Sequence, residues 1–158
     1  MVEFELREVP ETCVAVIREV LAIEDLPAFF GRAFHAVAEA IAAQGLVPVG
    51  PPFGLYRGMP DTTIDVAAGF PVNGPLRPYG KVTPDELPTG LAVVAMHVGP
   101  FDTMAETYAG MQGWMAERAM FPGDIVWESY LTDPSVEPDI AKWRTEIVWP
   151  VAQAMIVM

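Results

Sequence analysis

Glu128 is the residue in this chain best placed to do chemistry. In the segment Ile125 to Tyr130, strand periodicity puts Val126, Glu128 and Tyr130 on one face and Ile125, Trp127 and Ser129 on the other. A carboxylate thus stands among apolar and aromatic neighbours, in a setting where Glu is normally depleted. Two readings fit. A Glu facing solvent on an edge strand needs no special role. A Glu facing an apolar cavity is costly when ionised and unpaired, so it favours a cationic ligand, and each aromatic face nearby adds about 0.5–2 kcal/mol of cation–π attraction. The same burial would raise the carboxyl pKa, as a general base acting on water near neutral pH requires.

The surroundings of such a site would come from rings and sulfur. Tyr108 shares a helical stripe with Met104, Met111 and Met115, and all four tryptophans, Trp114, Trp127, Trp143 and Trp149, lie in the second half of the chain. A stripe of this kind usually packs a core, yet flexible, polarisable Met beside flat rings also suits a pocket that accepts varied ligands. Tyr56, Tyr108, Met111, Trp127 and Tyr130 are the candidate lining, with Tyr108 and Tyr130 foremost. Trp149, next to Pro150, reads equally as lining or core.

Other chemistries find little support. The two histidines, His35 in a helix and His97 at a strand end, are not clustered with cysteine, so no metal site is expected, and no cofactor. His97 reads as a strand-ending residue held by a structural hydrogen bond. The serines, Ser129 and Ser135, lack a nucleophile-elbow context. Gly80-Lys81-Val82-Thr83 lacks the spacing of a phosphate loop. Cys13, the single cysteine, sits in an apolar alternating segment and reads as a small buried hydrophobe.

The elements that must position these residues follow a repeated order. Val2, Phe4 and Leu6 alternate with charges, and Val14 and Val16 continue an apolar series, reading as one or two strands. Asp25-Leu26-Pro27 opens a helix with the stripe Phe30, Phe34, Val37, Ala38 and Ile41, which Gly45 ends. Phe53 to Arg57 and Ile64 to Phe70 read as strands around the turn Gly58-Met59-Pro60-Asp61. Residues 73 to 90, rich in Pro and Gly, read as a connector. Beyond it, Leu91 to His97 is a strand, Thr103-x-x-Glu106 is a capping-box pattern opening a helix, and Ile125 to Tyr130 and Trp143 to Trp149 are strands around Asp133-Pro134. Both halves read β-α-β-β, and Phe70-Pro71-Val72 closes one as Trp149-Pro150-Val151 closes the other. We therefore expect an α+β fold of two duplicated units, about 1–72 and 91–151, within a single domain. A central cleft is expected on their pseudo-twofold axis, where Gly54 and Glu128 occupy equivalent positions.

Composition narrows the partners. The chain has 158 residues, with 21 Asp plus Glu against 9 Lys plus Arg, a formal charge of −12. Phosphate-binding surfaces need clustered cations, and anionic membranes attract polybasic runs; neither feature is present. No nucleic-acid or membrane partner is therefore expected. Acidic residues 3, 5 and 8 are the reverse of a signal peptide's basic start, so a cytoplasmic location is expected.

The sequence resembles the GyrI-like small-molecule-binding family, which also forms the effector-binding part of multidrug-sensing transcription activators. The resemblance rests on Val14-Ala15-Val16-Ile17-Arg18; on Gly50-Pro51 through Tyr56, Asp65 and Phe70-Pro71-Val72; and on His97-Val98-Gly99-Pro100-Phe101 ahead of Tyr108 and Trp114. Glu128-Ser129-Tyr130-Leu131-Thr132-Asp133-Pro134 and Thr145-Glu146-Ile147 before Trp149-Pro150-Val151 complete it. It implies a duplicated fold of the SHS2 type, an aromatic-lined cleft, and a glutamate in the penultimate strand at its floor, here Glu128. The chain begins at its first strand, which reads as a stand-alone form without the DNA-binding segment of the activators. The resemblance implies binding of hydrophobic, cationic or polycyclic aromatic molecules. It also implies two alternatives: hydrolysis of cyclopropane-bearing DNA-alkylating compounds, with Glu128 as general base and Tyr108 beside it, or modulation of DNA gyrase by direct contact.

Overall fold

A computed structural model describes residues 3–58, 61–133 and 135–152; Val2, Met59, Pro60 and Pro134, used above, lie outside the described residues. The strands are β1 (Phe4–Val9), β2 (Thr12–Ala22), β3 (Phe53–Arg57), β4 (Thr63–Pro71), β5 (Thr83–Leu87), β6 (Gly90–Val98), β7 (Phe121–Pro122), β8 (Ile125–Tyr130) and β9 (Arg144–Ala152). The helices are α1 (Leu26–Ala43) and α2 (Met104–Glu117). The fold is α+β and all its strand pairs are antiparallel among the described residues. The chain divides into two units: Pro10–Thr89, and the residues up to Val9 together with those from Gly90 onward.

In the Pro10–Thr89 unit the strand order is β3-β4-β2-β5. Proline in the first turn of α1 supplies a preset φ where no backbone donor is needed; the preceding Asp25 makes no side-chain cap. The helix buries Phe29, Ala33, Val37, Ala40 and Ile41 against Ala15 and Ile17 of β2 and Ile64, Val66 and Ala68 of β4. The buried face is therefore turned from the expected stripe. Phe29 takes the inner position, Phe30 and Phe34 are half-buried at its border, and Ala38 is exposed. Small Ala33 and Ala40 on the inner face let the helix axis approach the sheet, while each large apolar side chain buried there contributes about 1.5–3 kcal/mol. Gly45, with φ +68, ends the helix in the left-handed region. A second glycine is fixed by contact: a Cβ on Gly69 would collide with the carbonyl oxygen of Ala15 on β2. Across the same strand pair, Arg18 donates two hydrogen bonds to Asp65, at 2.9 and 2.7 Å.

The other unit has the order β8-β9-β6-β1, with β7 added beside β9. Each unit therefore holds strand, helix, strand, strand in chain order, β2-α1-β3-β4 in one and β6-α2-β8-β9 in the other. In each, the first of these strands carries an extra edge strand on its far side. That strand is exchanged: β1 precedes β2 in sequence and pairs with β6, whereas β5 precedes β6 and pairs with β2. Part of the expected connector is thus regular structure, and Pro84 is tolerated in β5 because an edge strand has one side with no ladder to feed. In α2, Met104, Thr107, Met111 and Met115 are buried. Thr103 does not form the expected capping box: the chain enters α2 through a 3-10 turn, Phe101–Thr103, and the Thr103 hydroxyl donates to the carbonyl of Pro100, 2.9 Å away. Among the described residues no helix is long and apolar enough to cross a membrane.

Candidate functional site

Register sets the site. The pairing of β6, β9 and β8 aligns His97, Thr145 and Tyr130 in one cross-strand row and Ala95, Ile147 and Glu128 in the next. Because side chains alternate, both rows present the same face of the sheet, the one that Met104, Met111 and Met115 of α2 cover together with Val93, Ala95 and Ile147. Tyr108, Val126 and Trp149 border that cluster. Glu128 therefore enters an apolar, aromatic surface from below the helix.

Its carboxylate is gripped from two sides. The Tyr108 hydroxyl, from α2, donates to Glu128 Oε2, and the Tyr130 hydroxyl, two residues along β8, donates to Oε1 at 2.8 Å. Each phenol is itself held by rings. Tyr108 meets Trp149 edge-on at 5.6 Å between centroids, and the Trp149 indole N–H donates to the Gly123 carbonyl at 2.9 Å. Tyr130 meets Phe101 edge-on at 5.9 Å, and Phe101 lies 5.2 Å from Trp143. Glu128 retains some open surface as a residue, while its carboxyl is well enclosed. Burial pushes its pKa up; the hydrogen bonds from Tyr108 and Tyr130 and the charge His97 can carry pull the other way with less effect. Two neutral donors do not replace the water that an ionised carboxylate has lost. A positive charge would.

His97 is buried beside this network and fully engaged. Its Nε2 lies 2.9 Å from the Pro100 carbonyl and 3.1 Å from Thr103 Oγ1, and its Nδ1 lies 2.7 Å from Thr107 Oγ1. A carbonyl only accepts, so Nε2 carries a proton and donates it to Pro100, while Nδ1 is hydrogen-bonded to the Thr107 hydroxyl. One imidazole thereby ties β6 to the entry turn and the first helical turns of α2, directly before Tyr108. This is the structural hydrogen-bonding role expected from its place at a strand end.

The structure brings together four of the candidate residues: Glu128, Tyr108, Tyr130 and Trp149. Trp127 is buried on the opposite face of β8, and Met111 lies wholly inside the core under α2. Tyr56 belongs to the other unit, where it packs against the cluster under α1. Sequence reasoning did not single out Phe101 or Trp143 as neighbours of Tyr130. The Gly99-Pro100 break put Phe101 in the right loop, but only the tertiary path from β6 into α2 sets its ring against Tyr130. Among the described residues no three His, Cys, Asp or Glu side chains are grouped as metal ligands would be.

The site thus joins one enclosed carboxylate, two phenols donating to it and the Trp149 indole against one of them. The sequence model of the GyrI-like small molecule binding domain matches residues 2–152, and the chain belongs to that family. The EcmrR C-terminal domain is similar over 98% of this chain and 99% of its own, with 22% identity and a TM-score of 0.85. EcmrR in complex with DNA is similar at 25% identity and TM-score 0.85 over 97% of this chain, which spans 58% of the length of that protein. SAV2435, bound to tetraphenylphosphonium, shares 15% identity over 96% of this chain and 94% of its own, with a TM-score of 0.66. A hydrolase encoded by lin2189 from Listeria innocua shares 16% identity over 95% of this chain and 92% of its own, at TM-score 0.63. No curated protein matches the chain.

Proposed function

We propose that this protein binds hydrophobic organic cations, including polycyclic aromatic ones, with Glu128 as the counter-charge and Tyr108, Tyr130 and Trp149 as aromatic wall. The observation that carries the reading is the enclosed carboxylate of Glu128, whose two hydrogen-bond donors are uncharged. An ionised carboxylate in such a place lacks a cationic partner among the ion pairs of the described residues, and a lipophilic cation supplies one while its rings fill apolar space. Tetraphenylphosphonium, the ligand named for SAV2435, is a suitable probe. Titrating it while following tryptophan fluorescence is expected to give saturable quenching that weakens at least tenfold in Glu128→Gln. Absence of quenching, or an unchanged affinity in the variant, overturns the reading.

The raised pKa of Glu128 favours a second reading, hydrolysis of cyclopropane-bearing alkylators. Water oxygen would bond to a ring carbon as the strained C–C bond breaks, its electron pair passing to a conjugated carbonyl; Glu128 would take the water proton, the Tyr108 hydroxyl, released as Glu128 becomes protonated, would steady the oxyanion, and the proton on Glu128 would then pass to the enolate to complete the addition of water. Mass spectrometry of such a compound incubated with the protein is expected to show addition of water, lost in Glu128→Gln. No adduct, or one unaffected by the substitution, removes this reading. The equivalent strand order of the two units supports their origin by duplication, and the acidic, cation-poor sequence supports a cytoplasmic protein that does not itself bind nucleic acid.

A further inference from the structure

We propose that the Pro10–Thr89 unit carries a second small-molecule site, a cleft of about 340 Å³ between α1 and the turn leading into β5, and that it takes zwitterions: a ring bearing both an ammonium and a carboxylate group. All of its lining residues belong to this unit, so the site is separate from the Glu128 carboxylate and does not depend on the cation-binding reading. The volume lies at the lower end of the roughly 300–1,000 Å³ usual for small-molecule pockets, with room for one ring system and a short polar chain.

The cleft follows from how a strand ladder ends. β5 pairs with β2 from Thr12 to Val16 and no further, because the chain ahead of β5 folds back on itself. The amides of Tyr79 and Val82 each donate to the other's carbonyl at 2.9 Å, and Gly80, with φ +60, supplies the left-handed first corner of this two-residue turn. Beyond Val16, β2 has no neighbour on that side among the described residues, and Ile17 and Glu19 line the gap. Helical spacing sets Arg32, Ala36 and Glu39 in one stripe along the opposite wall. The floor is apolar, since Ile17 and Val82 are buried.

The rim is charged, and evenly. Arg32 Nη1 lies 3.4 Å from Glu19 Oε2, and the guanidinium stands 5.6 Å from the centre of the Phe29 ring, so this pair is held. Lys81, at the tip of the turn, and Glu39, on the helix, take part in no ion pair among the described residues. Two cations and two carboxylates thus surround one apolar floor, in a chain whose formal charge is −12. A purely cationic guest is repelled by Lys81 and Arg32, and a purely anionic one by both glutamates. A zwitterion sets its carboxylate by Lys81 and its ammonium by Glu39, with its ring against the half-exposed Tyr79.

Three probes that share one indole ring test this: free tryptophan, which is zwitterionic, tryptamine, which is cationic, and indole-3-propionate, which is anionic. Amide chemical shifts followed in titrations near neutral pH are expected to move around Ala36 and Val82, with tryptophan bound about fivefold or more tightly than either singly charged probe. Lys81→Gln is expected to remove the advantage over tryptamine, and Glu39→Gln the advantage over indole-3-propionate. Both residues are exposed, so both variants are expected to melt within a few degrees of wild type. No shift with tryptophan in the millimolar range, equal binding of the three probes, or shifts centred on Tyr108 and Tyr130 overturns the proposal. So does a preference for tryptophan that survives both substitutions.

Discussion

The hydroxyl of Tyr108 donates a hydrogen bond to the carboxylate of Glu128 across 20 positions of sequence, joining the helix of its unit to the penultimate strand. A hydrogen bond to a charged group is worth about 1.5–3 kcal/mol, so removing this one makes ionisation of Glu128 harder. Tyr108→Phe keeps the ring and its contact with Trp149. It is expected to weaken tetraphenylphosphonium about tenfold or more at neutral pH by calorimetry, and to leave a neutral aromatic of similar size unaffected.

A ligand of fixed charge isolates the titration of the protein. Glu128 must be ionised to act as counter-charge, and burial holds its pKa above the ordinary range. Affinity for tetraphenylphosphonium is therefore expected to fall as pH falls through the raised pKa and to level off above it, with Glu128→Gln weak and flat over the same interval. Stability moves in the opposite sense. The unfolded chain gives up this proton near pH 4.3 and the folded chain only at higher pH, so folding stability contributed by the protonated group is lost as pH rises through that window. Denaturant melts should show Glu128→Gln more stable than wild type at neutral pH, the difference vanishing below about pH 4.

Two glycines separate backbone crowding from helix propensity. Gly69 lies where any Cβ would strike the Ala15 carbonyl, and Gly69→Ala is expected to destabilise by about 3 kcal/mol or more in urea unfolding. Gly113 of α2 has open space where a Cβ would go, and Gly113→Ala is expected to stabilise by about 0.5–1 kcal/mol.

His97→Ala leaves the Thr107 hydroxyl without its ring partner and the Pro100 carbonyl without the ring's donor. Loss of about 1–3 kcal/mol is expected in chemical denaturation, with partial recovery in His97→Asn, whose amide can still donate.

Much of this was legible in residue types and order. Alternation located β8 and put Glu128 and Tyr130 on one face, and helical spacing put Tyr108 in one stripe with Met104, Met111 and Met115, because local periodicity and burial agree there. Three things were not legible. The exchange of β1 and β5 depends on long-range pairing: Phe4–Val9 alternates as any edge strand would, and nothing in it names β6 as partner. The burial of Trp127 and Met111 was equally hidden: alternation set Trp127 on the face away from Glu128, but a core and a pocket draw on the same apolar side chains, and only tertiary packing decides between them. Phe30 and Phe34 outweighed Phe29 in the expected stripe because side-chain size alone does not fix the rotation of α1; the small residues that let it approach the sheet do.

The carbon-13 shift of Glu128 Cδ, followed through a pH titration, reads directly the ionisation of the carboxyl group on which the site depends. A midpoint above the ordinary carboxylate value is expected in the free protein, moving down when tetraphenylphosphonium is bound. An ordinary midpoint that the cation leaves unmoved would show that Glu128 is not an enclosed counter-charge.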